Sequence, residues 1–171
     1  MEWSRGKGGD IRGLPVIRVG MGEGVVAASP HIIISEGIGS CVALTLYDLR
    51  LRIGGLAHIT LPRYEPGSRY YTPYQFADTA VHELLDSLLS GGSRDLDIEA
   101  KIAGGAKMFL SCNGDYSLGR LNVESVKAVL EAKGIRLAAW DVGGHHGRSV
   151  EFHVDSGRIV IRALGKEDKE I

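Results

Sequence analysis

Apolar positions along this chain switch between two periods. Residues 16–19 and 31–34 are short β-branched runs bounded by Gly, Ser and Pro, which predicts strands. Residues 42–47 (VALTLY) are almost wholly apolar, as in a strand buried on both faces. Residues 53–61 predict another strand, and the short segment 48–52 between the two predicts an antiparallel hairpin. Residues 100–103 run as a strand into Gly104-Gly105. Residues 136–142, 150–154 and 159–163 predict three more strands, the last two paired across Asp155-Ser156-Gly157.

The helical period appears twice. Thr72 and Gln75 have the spacing of a capping box with Pro73 at the first helical position, and Phe76, Ala80, Val81, Leu84, Leu85 and Leu88 then form one apolar stripe that Gly91 and Gly92 end. The second helix is expected to start at an Asn122 cap, with Leu121 and Val126 as a hydrophobic staple and Gly134 as its stop. About seven or eight strands with two main helices predict an α+β fold, a single-domain layered sandwich of mainly antiparallel strands. The core is expected over 16–163, with 1–15 a loose polar arm and 164–171 (GKEDKEI following Leu164) a solvated charged tail.

Composition narrows the function. The chain has 171 residues, 44% of them hydrophobic and 24% charged, enough to bury about two-thirds of its unfolded surface without a staple. Twenty basic residues against 21 acidic ones give a net charge of −1, so nucleic acid is not an expected partner. No apolar run is long enough to insert into a bilayer, and the N-terminus lacks the apolar core of a signal peptide. A cytoplasmic location with reduced thiols follows as the expectation.

Attention then falls on SEGIGSCVALTLYD, residues 35–48, where Cys41 follows a glycine-rich turn. Gly37 and Gly39 are expected to turn the backbone at positive φ and leave N–H groups free to bind an anion. Phosphate is a poor candidate, because no Lys-Ser/Thr follows and the third glycine of a dinucleotide fingerprint is missing. The oxyanion of an acyl-transfer intermediate would suit the same groups if Cys41 is a nucleophile. Cys41 has three other readings: a core hydrophobe, half of a disulfide with Cys112, or a metal ligand with His145 and His146. Reducing conditions weigh against the disulfide, and the absence of CxxC or HExxH spacing weighs against a metal.

A thiol nucleophile needs a base, since an ordinary cysteine is mostly protonated at neutral pH. The predicted hairpin brings the ends of its strands together, and Cys41 and His58 both lie near those ends. A one-residue slip would turn one of them to the other face, and His58 as a satisfied strand residue is the plainer alternative. A third group to orient the imidazole could be Ser35, Glu36 or Thr60. The residues alone do not choose.

The segments GIGSCVALTLYD and RIGGLAHITLP resemble the chemoreceptor glutamine deamidases of the CheD family. QFADTAVHELLDSLL, KIAGGAKMF, LGRLNVESVKAVLEAKGI and GGHHGRSVEFHVDSGRIVIR continue the resemblance in order, from about residue 16 to residue 162. It implies Cys41 as nucleophile and His58 as general base. The family's third member is usually a threonine six residues before the cysteine; here that position is Ser35, which keeps the hydroxyl and loses the methyl.

The resemblance also implies an enzyme that hydrolyses glutamine side-chain amides on the cytoplasmic helices of methyl-accepting chemotaxis receptors through a γ-glutamyl thioester. The backbone at Gly39 and Ser40 would hold the oxyanion, and no metal or organic cofactor would be needed. It implies a fold similar to the catalytic domain of a glutamine-deamidating toxin and a CheC-like phosphatase as a second partner. Phe109, closing KIAGGAKMF, and Arg148, in GGHHGR, are candidates for touching substrate or partner. The rival classes are a weakly catalytic module that binds the phosphatase, another Cys/His amidase, and a glutamate methylesterase sharing the acyl-enzyme.

Overall fold

The computed structural model describes residues 9–11, 13–67, 72–108 and 117–171. Two sheets stack face to face, and two helices cover the outer face of the second sheet. The first sheet has the order β1 (Gly9–Ile11), β2 (Leu14–Arg18), β4 (Ile32–Ile38), β9 (Arg148–His153), β10 (Arg158–Arg162) and β11 (Lys169–Glu170). The second has the order β3 (Gly24–Ala28), β6 (Ile53–Ile59), β5 (Val42–Asp48), β7 (Ile98–Gly104) and β8 (Arg136–Val142). Among the described strands only β2/β4 and β7/β8 pair in parallel, so the mainly antiparallel α+β sandwich expected from the sequence is the architecture found.

Strand β5 shows why its sequence is apolar throughout. Val42, Leu44 and Leu46 pack in a core with Leu84, Leu88, Val126 and Leu130 of the helices α1 (Ala77–Ser90) and α2 (Leu118–Ala132). Ala43 and Tyr47, on the opposite face, pack against Ile33, Phe152 and Ile161 of the first sheet. Each face of one strand therefore belongs to a different hydrophobic layer.

Several boundaries differ from the sequence expectations. Helix α1 begins at Ala77 after Phe76, and no side chain caps it. Thr72 Oγ1 instead donates to the Gly22 carbonyl at 2.7 Å, and the Gln75 carbonyl accepts from Thr60 and Leu61 N–H at 2.9 and 3.0 Å. Tertiary pairing has taken the residues that local capping would have used. Helix α2 begins at Leu118 with Ser117 as its cap, its Oγ accepting from Arg120 N–H at 3.4 Å, so Asn122 and Leu121 are helix residues rather than a cap and staple. Strand β3, with only Val25 and Val26 as β-branched residues, went unpredicted.

The charged tail is exposed from Leu164 to Glu170 but not without structure. β11 pairs with β10, and Arg158–Glu170 (2.7 Å), Arg162–Asp168 (3.0 Å) and Lys169–Asp141 (2.9 Å) tie it down. At the other end, β1 pairs with β2 inside the segment expected to be a loose arm.

Candidate active site

Residues 39–41 carry the chain from β4 in one sheet to β5 in the other, and Cys41 is the last residue of that crossing. A β-bulge precedes it. Ser35 pairs with Val150 while Ile38 pairs with Arg148, so β4 has one residue more than β9 over this stretch. Gly37 takes up the bulge at φ +73°, and the extra residue resets the alternation, so Ser35 and Ile38 are both fully buried with Glu36 and Gly37 exposed between them. The expectation that Gly39 also adopts positive φ is not met; a Cβ there would instead lie 3.1 Å from Met108.

The hairpin expected between β5 and β6 is present, with Ala43 opposite His58 and Val42 opposite Ile59. Cys41 lies two residues before Ala43 and therefore shares its face, diagonal to His58. Cys41 packs at the edge of the inter-sheet cluster that contains Ala43 and Leu56, the same-face neighbours of the pair. His58 is fully buried.

Ser35 reaches His58 from the facing sheet. Its Oγ is 3.0 Å from His58 Nδ1 and donates its proton to the Val19 carbonyl at 2.8 Å. A hydroxyl has one proton, and here it is spent on a group that can only accept. Toward the ring the oxygen must therefore accept, so Nδ1 carries the hydrogen of the neutral imidazole and Nε2 carries the lone pair. His58 Nε2 is buried and has no hydrogen-bond partner among the described residues. The ring itself is held by its strand, whose His58 N–H donates to the Glu23 carbonyl and whose His58 carbonyl accepts from Gly22 N–H, both at 2.9 Å.

The loop that carries Cys41 is fastened by its carbonyls. Gly39 C=O accepts from Ala106 N–H (2.8 Å), Cys41 C=O from Gly105 N–H (2.7 Å), and Ser40 C=O from Asn122 Nδ2 (2.9 Å). This contact is possible because β7 approaches closely: a Cβ on Gly104, at φ +116°, would fall 2.3 Å from the Cys41 carbonyl oxygen. Asn122 also donates to the Thr60 carbonyl at 3.1 Å. Sequence reading missed this residue because asparagine before an apolar run looks like a cap. The available signal was the poor helix propensity of an Asn lying well inside an otherwise periodic helix.

Burial sets the protonation states. It holds the His58 imidazole below its ordinary value. It pushes the Cys41 thiol up, against a smaller lowering by Cys41's own backbone N–H. Both directions favour a neutral thiol beside a neutral imidazole near pH 7. A neutral thiol of this kind needs a base to take its proton if it is to attack a carbonyl carbon without a standing thiolate.

The other sequence candidates are placed elsewhere or differently. Glu36 is exposed and pairs with Arg18 at 3.0 Å, while Thr60 Oγ1 donates to the Gln75 carbonyl at 3.3 Å; neither meets the His58 ring. Arg148 is not a surface side chain: it is 3% exposed, pairs with Asp141 at 3.0 Å and donates to the Gly143 carbonyl at 2.8 Å. Its guanidinium is occupied in tying β8 to β9, an explanation that sequence could not supply without the pairing of those strands. His145 Nδ1 lies 3.1 Å from the Lys107 carbonyl, and no cluster of three metal-ligating side chains occurs among the described residues. Phe109 and Cys112 lie outside the described residues.

Comparison with known proteins gives one consistent result. A family model described as CheD chemotactic sensory transduction matches residues 60–163, beginning just after the Cys41–His58 hairpin. The chemoreceptor glutamine deamidase CheD of Thermotoga maritima is 41% identical over 147 residues, covering 86% of this chain and 91% of that protein. The protein of the same name from Halalkalibacterium halodurans is 40% identical over 159 residues, covering 91% and 98%. A probable chemoreceptor glutamine deamidase CheD of Caldanaerobacter subterraneus is 39% identical over 158 residues, again covering 91% and 98%.

Proposed function

Because the chain belongs to the CheD family, we propose that it is a chemoreceptor glutamine deamidase working through Cys41 and His58, with Ser35 orienting the imidazole. The observation that carries the mechanism is the Ser35 pair of hydrogen bonds, 2.8 Å to Val19 and 3.0 Å to His58 Nδ1, which leaves Nε2 as the basic nitrogen. Cys41 Sγ attacks the side-chain amide carbon of glutamine while Nε2 takes the thiol proton. The backbone N–H groups of Ser40 and Cys41 stabilise the oxyanion. His58 then gives its proton to the departing ammonia, and a water activated by Nε2 hydrolyses the γ-glutamyl thioester to glutamate. Carbon, nitrogen and proton all balance with the side chains named here, so the cycle calls on no metal or organic cofactor.

The substrate reading rests on the relatives' names and on the family resemblance, which puts the modified helices in the cytoplasm. No helix of the described residues is long and apolar enough to cross a membrane. A CheC-like phosphatase as a second partner rests on the resemblance alone; co-purification of the two proteins tests it. The deciding experiment for activity is intact-mass analysis of chemoreceptor cytoplasmic domains incubated with the purified protein. Each deamidation adds about one dalton and needs Cys41. A backbone cut with side-chain amides unchanged would refute the assignment in favour of a protease, and loss of a methyl group alone would favour a methylesterase.

A further inference from the structure

We propose that Asn122 is a positioning residue for the oxyanion site, holding the Ser40–Cys41 peptide so that its N–H faces the reacting carbonyl. The inference rests on the acyl-transfer reading of Cys41 and concerns a residue one layer behind it. Asn122 is fully buried on α2, in the helix layer, and spends both Nδ2 hydrogens on backbone carbonyls, Ser40 at 2.9 Å and Thr60 at 3.1 Å. Both acceptors lie just past the end of the β5/β6 ladder, whose last pair is Val42 with Ile59. Asn122 therefore stands in for the next rung, fastening the residue before the nucleophile to the strand that carries the base.

The geometry of the peptide group turns this clamp into an orientation. In a trans peptide the C=O and the following N–H point in opposite directions. Drawing the Ser40 carbonyl inward onto Asn122 sends the Cys41 N–H the other way. The Gly39 carbonyl, held by Ala106 N–H, does the same for the Ser40 N–H. These are two adjacent donors of the kind that stabilise a tetrahedral oxyanion. The neighbouring carbonyls at Gly39 and Cys41 are fixed by backbone donors, whereas the Ser40 peptide depends on a side chain and can be released by one substitution.

Asn122 is also costly where it stands. Its Oδ1 is buried without a partner among the described residues, and asparagine is a poor helix former inside α2. A residue serving only to fill the interior would do better as an aliphatic side chain. What Asn supplies, and an aliphatic side chain does not, is a pair of donors aimed at two carbonyls.

The test compares two reactions of one thiol, in a Cys112→Ser background that leaves Cys41 as the only cysteine of the chain. In the first, p-nitrophenyl acetate acylates Cys41: sulfur bonds to the carbonyl carbon, the thiol proton goes to His58, and p-nitrophenolate leaves through an oxyanion intermediate. In the second, iodoacetamide alkylates the same sulfur with loss of iodide and forms no oxyanion. Asn122→Ala and Asn122→Leu, which keeps the branching of the side chain and removes the unpartnered oxygen, are compared at equal folded fraction by circular dichroism, so that the failure of one to fold leaves the other to decide. Losing one fixed oxyanion donor typically costs about 10²–10³ in rate, so loosening it should slow the acylation burst about 10-fold or more. Alkylation rate and its pH dependence should stay within about 3-fold, since the oxyanion plays no part in them. Equal losses in both reactions, or undiminished acylation, would overturn the proposal. If the parent is acylated but leaves receptor domains unchanged, only the substrate assignment fails. If the parent is not acylated at all, the acyl-transfer reading falls and this inference with it.

Discussion

Replacing Ser35 with alanine should separate the rate of the reaction from the stability of the fold. The substitution removes two hydrogen bonds at once, to Val19 and from His58 Nδ1, where Ser35 and His58 are both fully buried. Each group left behind, a carbonyl and an N–H, is a buried polar atom worth about 1–3 kcal/mol when unsatisfied. Stability should therefore fall by about 2–6 kcal/mol, a large share of the 5–15 kcal/mol of an ordinary domain. The catalytic effect is smaller and distinct. A hydrogen bond of about 0.5–1.5 kcal/mol biases the imidazole tautomer by about 2- to 13-fold, and kcat/KM should drop by a similar factor once variants are compared at equal folded fraction. Ser35→Thr keeps the oxygen and should stay within about 3-fold of the parent, whereas Ser35→Val keeps shape without an acceptor and should behave like Ser35→Ala. The assay is deamidation of receptor domains followed by mass, together with thermal melts of every variant. Full kcat/KM in Ser35→Ala, with an unchanged pH profile, would refute the argument that this hydroxyl sets the basic nitrogen.

Further expectations follow from the same geometry. Cys41→Ala should abolish deamidation with the fold intact by circular dichroism, while Cys112→Ala should keep activity within about a few-fold; equal losses would sink the assignment of Cys41 as sole nucleophile. His58→Ala should cost about 10²-fold or more in kcat, and retained activity in it would move the base elsewhere. Because burial lowers the His58 pKa, kcat/KM should rise with pH through a value below the usual imidazole value of about 6.5. The same shift has a sign for stability. The unfolded state takes up the proton first, so this contribution is fully present above about pH 6.5 and is lost as pH falls from there toward the folded pKa, a loss that denaturant titrations should find absent in His58→Asn. Gly104→Ala should be strongly destabilising, because its Cβ would fall 2.3 Å from the Cys41 carbonyl at a φ that disfavours side chains; a thermal melt within a degree or two of the parent would contradict the close approach described.

What the sequence disclosed was set by local pattern. The β5/β6 hairpin was legible because an apolar strand, a short polar turn and a second strand leave one economical pairing, and the Cys41–His58 neighbourhood came with it. The apolar stripe of α1 was legible too, although its start was not, since Thr72 and Gln75 serve partners at Gly22, Thr60 and Leu61 that no local window contains. The cap reading of Asn122 failed, and the burial of Arg148 was not foreseen, for one shared reason. A polar residue's role depends on which buried carbonyl or carboxylate faces it, and those partners, Ser40 and Thr60 for one and Asp141 for the other, come from remote strands or a different layer. Residue pattern alone left Ser35 among three candidates and the family resemblance favoured it; its 3.0 Å approach to His58 Nδ1 comes from the facing sheet, which no local window contains.

The division of labour between the two sheets has a consequence for how the chain matures. The proposed nucleophile and base lie at one end of a single hairpin, which local contacts can assemble early. Ser35 Oγ, which meets the His58 ring at 3.0 Å, comes from the opposite sheet and reaches it only when the sandwich closes. A partly folded chain thus carries a cysteine beside a histidine whose tautomer nothing selects, and whose surroundings are still wet. Under the proposed mechanism, acyl-transfer activity would arrive only with the last docking step, which both buries the pair and fixes the tautomer, whereas the wet thiol of an open chain would lose the upward pKa shift that burial gives it.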